Sequence, residues 1–168
     1  LNQDMVYSVD HTVRPGETTA SSKLEFFCGG KGLNQSIALA RAGAKVFHAG
    51  CVGSDGERLL EKLKENNIDI SLIKRCDMPS GHAIIQVDKN GQNSILLFGG
   101  ANKQIDEEQI AKVLSDFKAG DKLFLQNEIN AVDKIITAAS KKGMEIVLNP
   151  SPFGDEILSY PLDKITWF

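Results

Sequence analysis

A parallel β-sheet covered by helices, with a second and smaller β-sheet attached, is the α/β fold class that this sequence predicts. Three observations carry it. Residues 121–149 alternate strand, helix and strand with short links, which calls for right-handed crossovers and a parallel sheet. The stretch KVFHAGCVG at 45–53 is mostly apolar, as a strand buried on both faces is. Two early strands and a hairpin at 81–98 do not fit that alternation, and they predict a separate antiparallel sheet.

Taken in order, MVYSVDH at 5–11 alternates apolar and polar residues like a half-buried strand. RPGET at 14–18 is a turn, because Pro15 fixes φ and Gly16 accepts a positive one. KLEFF at 23–27 is a second short strand. Leu33, Ile37, Leu39 and Ala40 mark one face of a helix that stops at Ala42-Gly43-Ala44. After the strand at 45–53, Ser54 or Asp55 is expected to cap a helix with Leu59, Leu60, Leu63 and Ile68 facing inward. Strands at 81–88 and 94–98 flank Asn90-Gly91, a hairpin turn signal. DEEQIAKVL at 106–114 reads as a helix with acids in its first turn. DKLFLQ (121–126), NAVDKIITAASKK (130–142) and MEIVLN (144–149) form the strand–helix–strand unit. SPFGDEILSY is a short helix or turn, and KITWF at 164–168 a last strand.

Length suits one domain, and the 42% hydrophobic and 24% charged fractions are those of an ordinary globular chain. A net charge of −3 argues against a nucleic-acid partner. No stretch approaches the roughly 20 apolar residues of a membrane span, and no signal peptide opens the chain, so a cytoplasmic location is expected. Cys28, Cys51 and Cys76, and likewise His11, His48 and His82, are scattered without metal-ligand spacing, so free thiols and no side-chain metal site are expected. The opening LNQDMVYSVD is a strand already under way, and the close is an apolar strand. Both are expected of the N-terminal portion of a longer protein.

Chemistry concentrates in FFCGGKGLNQS at 26–36. A glycine-rich turn feeding a helix N-terminus points backbone amides at a ligand. Lys31 adds a cation and Asn34 a group that both donates and accepts. Such a place suits a phosphate, a sugar or both. It is neither a Walker loop, since Gly32 follows Lys31 where Ser or Thr is needed, nor a dinucleotide fingerprint. A tight turn joining strand to helix is the plain alternative.

Gly29, Gly30, Gly32, Asn34, Ser36, Gly43 and Gly53 fill every required place of a longer pattern. That pattern resembles the first signature of the ribokinase-like carbohydrate kinases, the phosphofructokinase-B family. The G-G-K-G-x-N-Q form, Asn2-Gln3-Asp4, PGET at 15–18, Asn127-Glu128 and NPSP at 149–152 resemble the ribokinase branch of it. The resemblance covers essentially the whole chain. It implies a ribokinase-like three-layer sandwich, with an incomplete parallel central sheet and a small antiparallel β lid over the sugar. It further implies ATP and Mg2+ as cofactors, a monovalent cation such as potassium held outside this chain, and a homodimer formed through the lid.

By resemblance, Asp4 accepts hydrogen bonds from two adjacent sugar hydroxyls, Gly30 gives a backbone contact, and Lys31 and Asn34 reach hydroxyls from the helix mouth. Asn2 either touches the sugar or only fixes the turn before Asp4. Lys31 is alternatively a solvated surface lysine, and Asp4 a surface acid in a strand-end turn. Glu128 follows a strand's C-terminal end, where open parallel sheets bind ligands. It is nearly as well explained as an acid at the start of its own helix. Ala83, Ile85 and Leu97 either wall the sugar or simply pack. The family's catalytic aspartate belongs to a second signature, D-T-x-G-A-G-D, which this chain does not contain, so no catalytic residue is assigned here. The implied activity is ATP-dependent phosphorylation of a pentose primary hydroxyl, D-ribose to ribose 5-phosphate, with this chain inert by itself. A kinase for another sugar or a nucleoside, or a non-catalytic sugar-binding or regulatory protein, is the alternative.

Overall fold

The computed structural model describes residues 1–168. Strands β1 (Asn2–Ser8), β2 (Lys23–Gly29), β5 (Gly81–Val87) and β6 (Asn93–Phe98) form a four-stranded sheet in the order β2-β1-β5-β6. This is the expected lid, with one correction. Its central pair, β1 with β5, is parallel, while the outer pairs are antiparallel. The parallel pair is possible because the long stretch from residue 9 to 80, which carries two helices, returns the chain to the same end of the sheet. β1 also runs at 2–8 rather than 5–11, so Asn2 and Asp4 lie inside a strand instead of in a turn beside one.

The body holds four helices, α1 (Lys31–Arg41), α2 (Glu57–Glu65), α3 (Glu107–Ser115) and α4 (Val132–Lys141). Its strands are parallel, as expected, and come as two pairs: β3 (Gly50–Val52) with β4 (Ile73–Arg75), and β7 (Lys122–Gln126) with β8 (Glu145–Asn149). The predicted strand at 45–53 is therefore shorter, reduced to Gly50–Val52 with a single parallel bridge from Phe47 to Asp69. KITWF is not a strand. A 3-10 turn at Leu162–Lys164 precedes one isolated bridge between Trp167 and Val147, and Trp167 and Phe168 stay largely exposed.

Each strand pair has its own apolar core. Leu1, Leu33, Val52, Leu59, Leu60, Leu63 and Ile68 fill one beneath α1 and α2. Ile110, Leu114, Leu125, Ile136, Ile146 and Leu148 lie at the centre of the other, beneath α3 and α4. A cleft of about 640 Å³ separates them, lined among others by Leu39, Phe47, His48, Phe117 and Phe124.

Local signals explain most element ends. Gly43 N and Ala44 N close onto Ala40 O and Leu39 O, ending α1 where the sequence places its stop. Asp106 caps α3 by accepting from Gln109 N at 2.8 Å. The cap expected of Ser54 or Asp55 on α2 is not made, and Gly56 holds that position. Asp55 turns instead to the lid, accepting from Ser80 N at 2.9 Å and from Gln3 Nε2 at 3.2 Å. Burial pushes its carboxyl up, but the Ser80 hydrogen bonds outweigh this and hold it below the usual range. A capping acid has become a tie between lid and body.

Candidate functional site

The site forms where β1 and β2 meet the N-terminus of α1. Strand registers sort the lid residues by face, since opposite residues share a face and neighbours alternate. Asn2 and Asp4 lie on one face with Phe27, Ala83, Val6, Ile85, Ile95 and Leu97. Met5, Tyr7, Leu24, Phe26, Ile84 and Leu96 lie on the other. The residues considered as an apolar wall for the sugar thus share the face of Asp4.

The Asp4 carboxylate makes no hydrogen bond within the chain, and no buried side-chain oxygen or nitrogen is left without a partner, so this one opens to solvent. Its surroundings push its pKa up, first by burial and then by the Glu128 charge. Gly29, opposite Asn2 and on the same face of the sheet, lies diagonally across from it: a Cβ at Gly29 would stand 1.9 Å from Asp4 Oδ2. The first glycine of the loop is there to leave room for a carboxylate.

Gly30 adopts φ +94°, a conformation that side chains disfavour, and turns the chain from β2 into α1. A Cβ there would also press within 3.2 Å of Asn2 N. Lys31 begins the helix, and Glu128, from the loop after β7, grips it twice. Glu128 Oε2 accepts from the Lys31 backbone N–H and Oε1 from its ammonium, both at 2.9 Å. Glu128 therefore serves the positive end of α1 rather than that of α4, its own following helix. Asn34 stands one turn along from Lys31 and is exposed, and its side chain makes no hydrogen bond to the rest of the chain. Two anchors fix α1 itself. Leu33 is buried, and Ser36 Oγ meets His48 Nδ1 at 2.8 Å; burial brings this imidazole down to about 3 and keeps it neutral.

Five of the six residues singled out thus converge: Asn2 and Asp4 on β1, Gly30 and Lys31 at the helix mouth, and Glu128 through its ion pair. Asn34 joins them only by its place on the helix. Asn127 is structural, donating to Pro152 O at 2.8 Å and to Glu156 Oε1 at 2.7 Å while accepting from Tyr160 Oη at 2.6 Å. Asn149 accepts from Ser151 N in a turn. Sequence reasoning missed Asn102. It is buried behind Asn2 and bonded to its side chain, and no local pattern announces it.

No group of three or more His, Cys, Asp or Glu side chains is placed to hold a metal ion. What the site offers is an unpartnered carboxylate, amide groups, a cation and an apolar wall, the donor set for a polyhydroxylated ligand.

The model of pfkB family carbohydrate kinases matches residues 2–167. A ribokinase of Haemophilus influenzae is 37% identical, over 99% of this chain and 56% of its own. A deoxyribokinase of Salmonella typhi is 32% identical, over 89% of this chain and 50% of its own. The crystal structure of a ribokinase from Cryptococcus neoformans in complex with ADP superposes with a TM-score of 0.83 at 33% identity, covering 98% of this chain and 52% of that one. The chain thus spans about half the length of the relatives it matches. Matched along nearly all its residues and carrying the fold of these relatives, the chain belongs to the pfkB family of carbohydrate kinases.

Proposed function

We propose that this chain is the sugar-binding part of an ATP-dependent kinase that phosphorylates the primary hydroxyl of a pentose, D-ribose to ribose 5-phosphate. The observation that carries this reading is the half-buried, unpartnered Asp4 carboxylate beside the mouth of α1. A fixed acceptor of this kind suits two neighbouring hydroxyls of a furanose. Asn2, the Gly30 backbone, Lys31 and Asn34 complete the polar shell, Glu128 holds Lys31 in place, and Ala83, Ile85 and Leu97 cover the sugar's apolar side.

Phosphoryl transfer depends on positioning and on stabilising spread negative charge. These residues supply the positioning of the acceptor. ATP, with Mg2+, supplies the phosphoryl group, and the ADP in the Cryptococcus relative's structure supports the nucleotide. The chain spans about half the length of the relatives it matches, and this reading assigns Mg2+, any potassium ion and the catalytic base to the part it does not span. The likeness to a deoxyribokinase keeps 2-deoxyribose as the second candidate substrate. The same reading has the kinase act in the cytoplasm; no helix is long and apolar enough to cross a membrane.

Steady-state assays of the intact protein with ATP and a panel of pentoses, ketoses and nucleosides test this reading. Ribose is expected to give the highest kcat/KM, and preference for a nucleoside or ketose would overturn the assignment. The 168-residue chain by itself is expected to show no turnover.

A further inference from the structure

Asn102 lies in a 3-10 turn, Gly100–Lys103, where the last lid strand re-enters the body, and it is 4% exposed. Nothing in the phosphoryl-transfer reading uses it, yet every polar group of its side chain is engaged at the edge of the sugar site. Its Nδ2 donates to Leu1 O at 2.9 Å and to Asn2 Oδ1 at 2.8 Å. Its Oδ1 accepts from the Leu1 nitrogen at 3.1 Å. Its backbone carbonyl accepts from Asn130 N at 3.4 Å, in the loop that also carries Glu128.

This network settles which way the Asn2 amide faces. An amide presents an acceptor on one side and donors on the other. The Asn2 oxygen is taken by Asn102, so it points inward. The Asn2 nitrogen has no partner in the chain, and no buried side-chain nitrogen is left unsatisfied, so it faces outward. The space around the pair is closed. Gly81 lies opposite Asn2 in the sheet, and a Cβ there would stand 2.1 Å from Asn102 Nδ2 and 2.3 Å from Asn2 Oδ1. Neither amide has room to turn over without losing the bond between them.

We propose that Asn102 is a positioning residue of the sugar site, locking Asn2 with its amide nitrogen outward, so that Asn2 meets the sugar as a donor two residues from the acceptor Asp4. The inference rests on the sugar-site reading above and adds its polarity. The strand then reads one sugar oxygen through a lone pair and its neighbouring hydroxyls through their protons. Two acceptors side by side would lack that complementarity. Because Asn102 also contacts the Glu128 loop, it sets the donor and the Lys31 clamp in one frame.

The test uses the intact kinase and a double-mutant cycle. In Asn102→Asp the new carboxylate cannot donate to Asn2, so the Asn2 amide reverses and presents its oxygen. In Asn102→Ala the lock is simply removed. Each variant is expected to raise the sugar KM about tenfold, the effect of one net hydrogen bond, with kcat at saturating sugar and the KM for ATP unchanged. On an Asn2→Ala background neither substitution should raise the sugar KM further. An unchanged sugar KM in a folded variant overturns the proposal. So does a tenfold rise that repeats in full on the Asn2→Ala background, because Asn102 would then act other than through Asn2. Loss of cooperative thermal unfolding in both variants would make the role purely structural and overturn it as well. If Asp4→Asn and Asn2→Ala both leave the sugar KM unchanged, the sugar-site reading itself fails, an outcome distinct from the others.

Discussion

Asp4 shows what a half-buried carboxylate without a partner costs the fold. It has no partner in the chain, lies against Phe27 and Ala83, and feels the Glu128 charge, so its pKa stands above the ordinary value. A carboxyl with a raised folded-state pKa favours the folded state below its unfolded value and loses that contribution as pH rises through the folded one. Asp4→Asn is therefore expected to raise the melting temperature of the sugar-free protein at neutral pH. The gain should shrink as pH falls and vanish once the wild-type carboxyl is protonated. The same substitution should weaken sugar use by roughly 1.5–3 kcal/mol, the range for a hydrogen bond to a charged group. Calorimetry across pH and steady-state kinetics check the two halves, and a variant less stable at neutral pH would contradict the first. Part of this geometry was legible in the sequence, since Gly29, Gly30, Lys31 and Asn34 fall in one motif at a helix mouth. That Asp4 lies inside β1, and not in a turn beside a strand, was not. Asn102 was not legible, since its partners are about a hundred residues away and a lone buried amide leaves no periodic trace.

Among the elements, α1 carries the clearest division of labour. Its buried side, Leu33 and Ser36, holds the helix in place, and its first residue, Lys31, stands at the candidate site, paired with Glu128. No side chain within the helix caps its start, and Glu128 does so from 97 residues away. Glu128→Gln keeps an acceptor for the Lys31 amide but removes the charge from both contacts. The Lys31 side chain is 40% exposed and Glu128 14%, so solvent screens part of the interaction. A loss of about 0.5–1 kcal/mol of stability is expected, shrinking as salt is added. Urea titrations at low and high ionic strength measure it, and a loss that does not change with salt would exclude the charge as its cause. The same contrast explains which elements the sequence announces. Helices with a clear apolar stripe are where they were expected, and of the alternating strands β1 alone is displaced, to Asn2–Ser8. β4, at Ile73–Arg75, is too short to show a pattern. KITWF has a strand's composition but pairs through one residue only, and Asp55 looks like a cap because its engagement with Ser80 is invisible locally.

At the scale of the whole molecule, the lid is apolar on both sides. One side faces the site. On the other, Phe26 is 48% exposed and Leu96 68%, with Leu24, Met5 and Ile84 on the same face, an exposed apolar patch of the kind that marks an interaction surface. We propose that a second copy covers this side, giving a homodimer through the lid. Leu96→Asp is expected to shift the mass measured by sedimentation equilibrium from dimer to monomer, and an unchanged dimer would place the interface elsewhere. The parallel pairing of β1 with β5 has a separate consequence, for the order in which the protein comes into being. Asn2–Ser8 are among the first residues of this chain to be synthesised, yet their neighbours Gly81–Val87 emerge some eighty residues later. Closing so long a loop is entropically costly and slow compared with forming a helix or a hairpin. Until that closure, β1 can pair only with β2, and the nascent chain carries Asp4 and the glycine turn without the wall beside them. The proposed sugar site is thus completed late in folding, although the strand that begins it precedes its partner in the sequence.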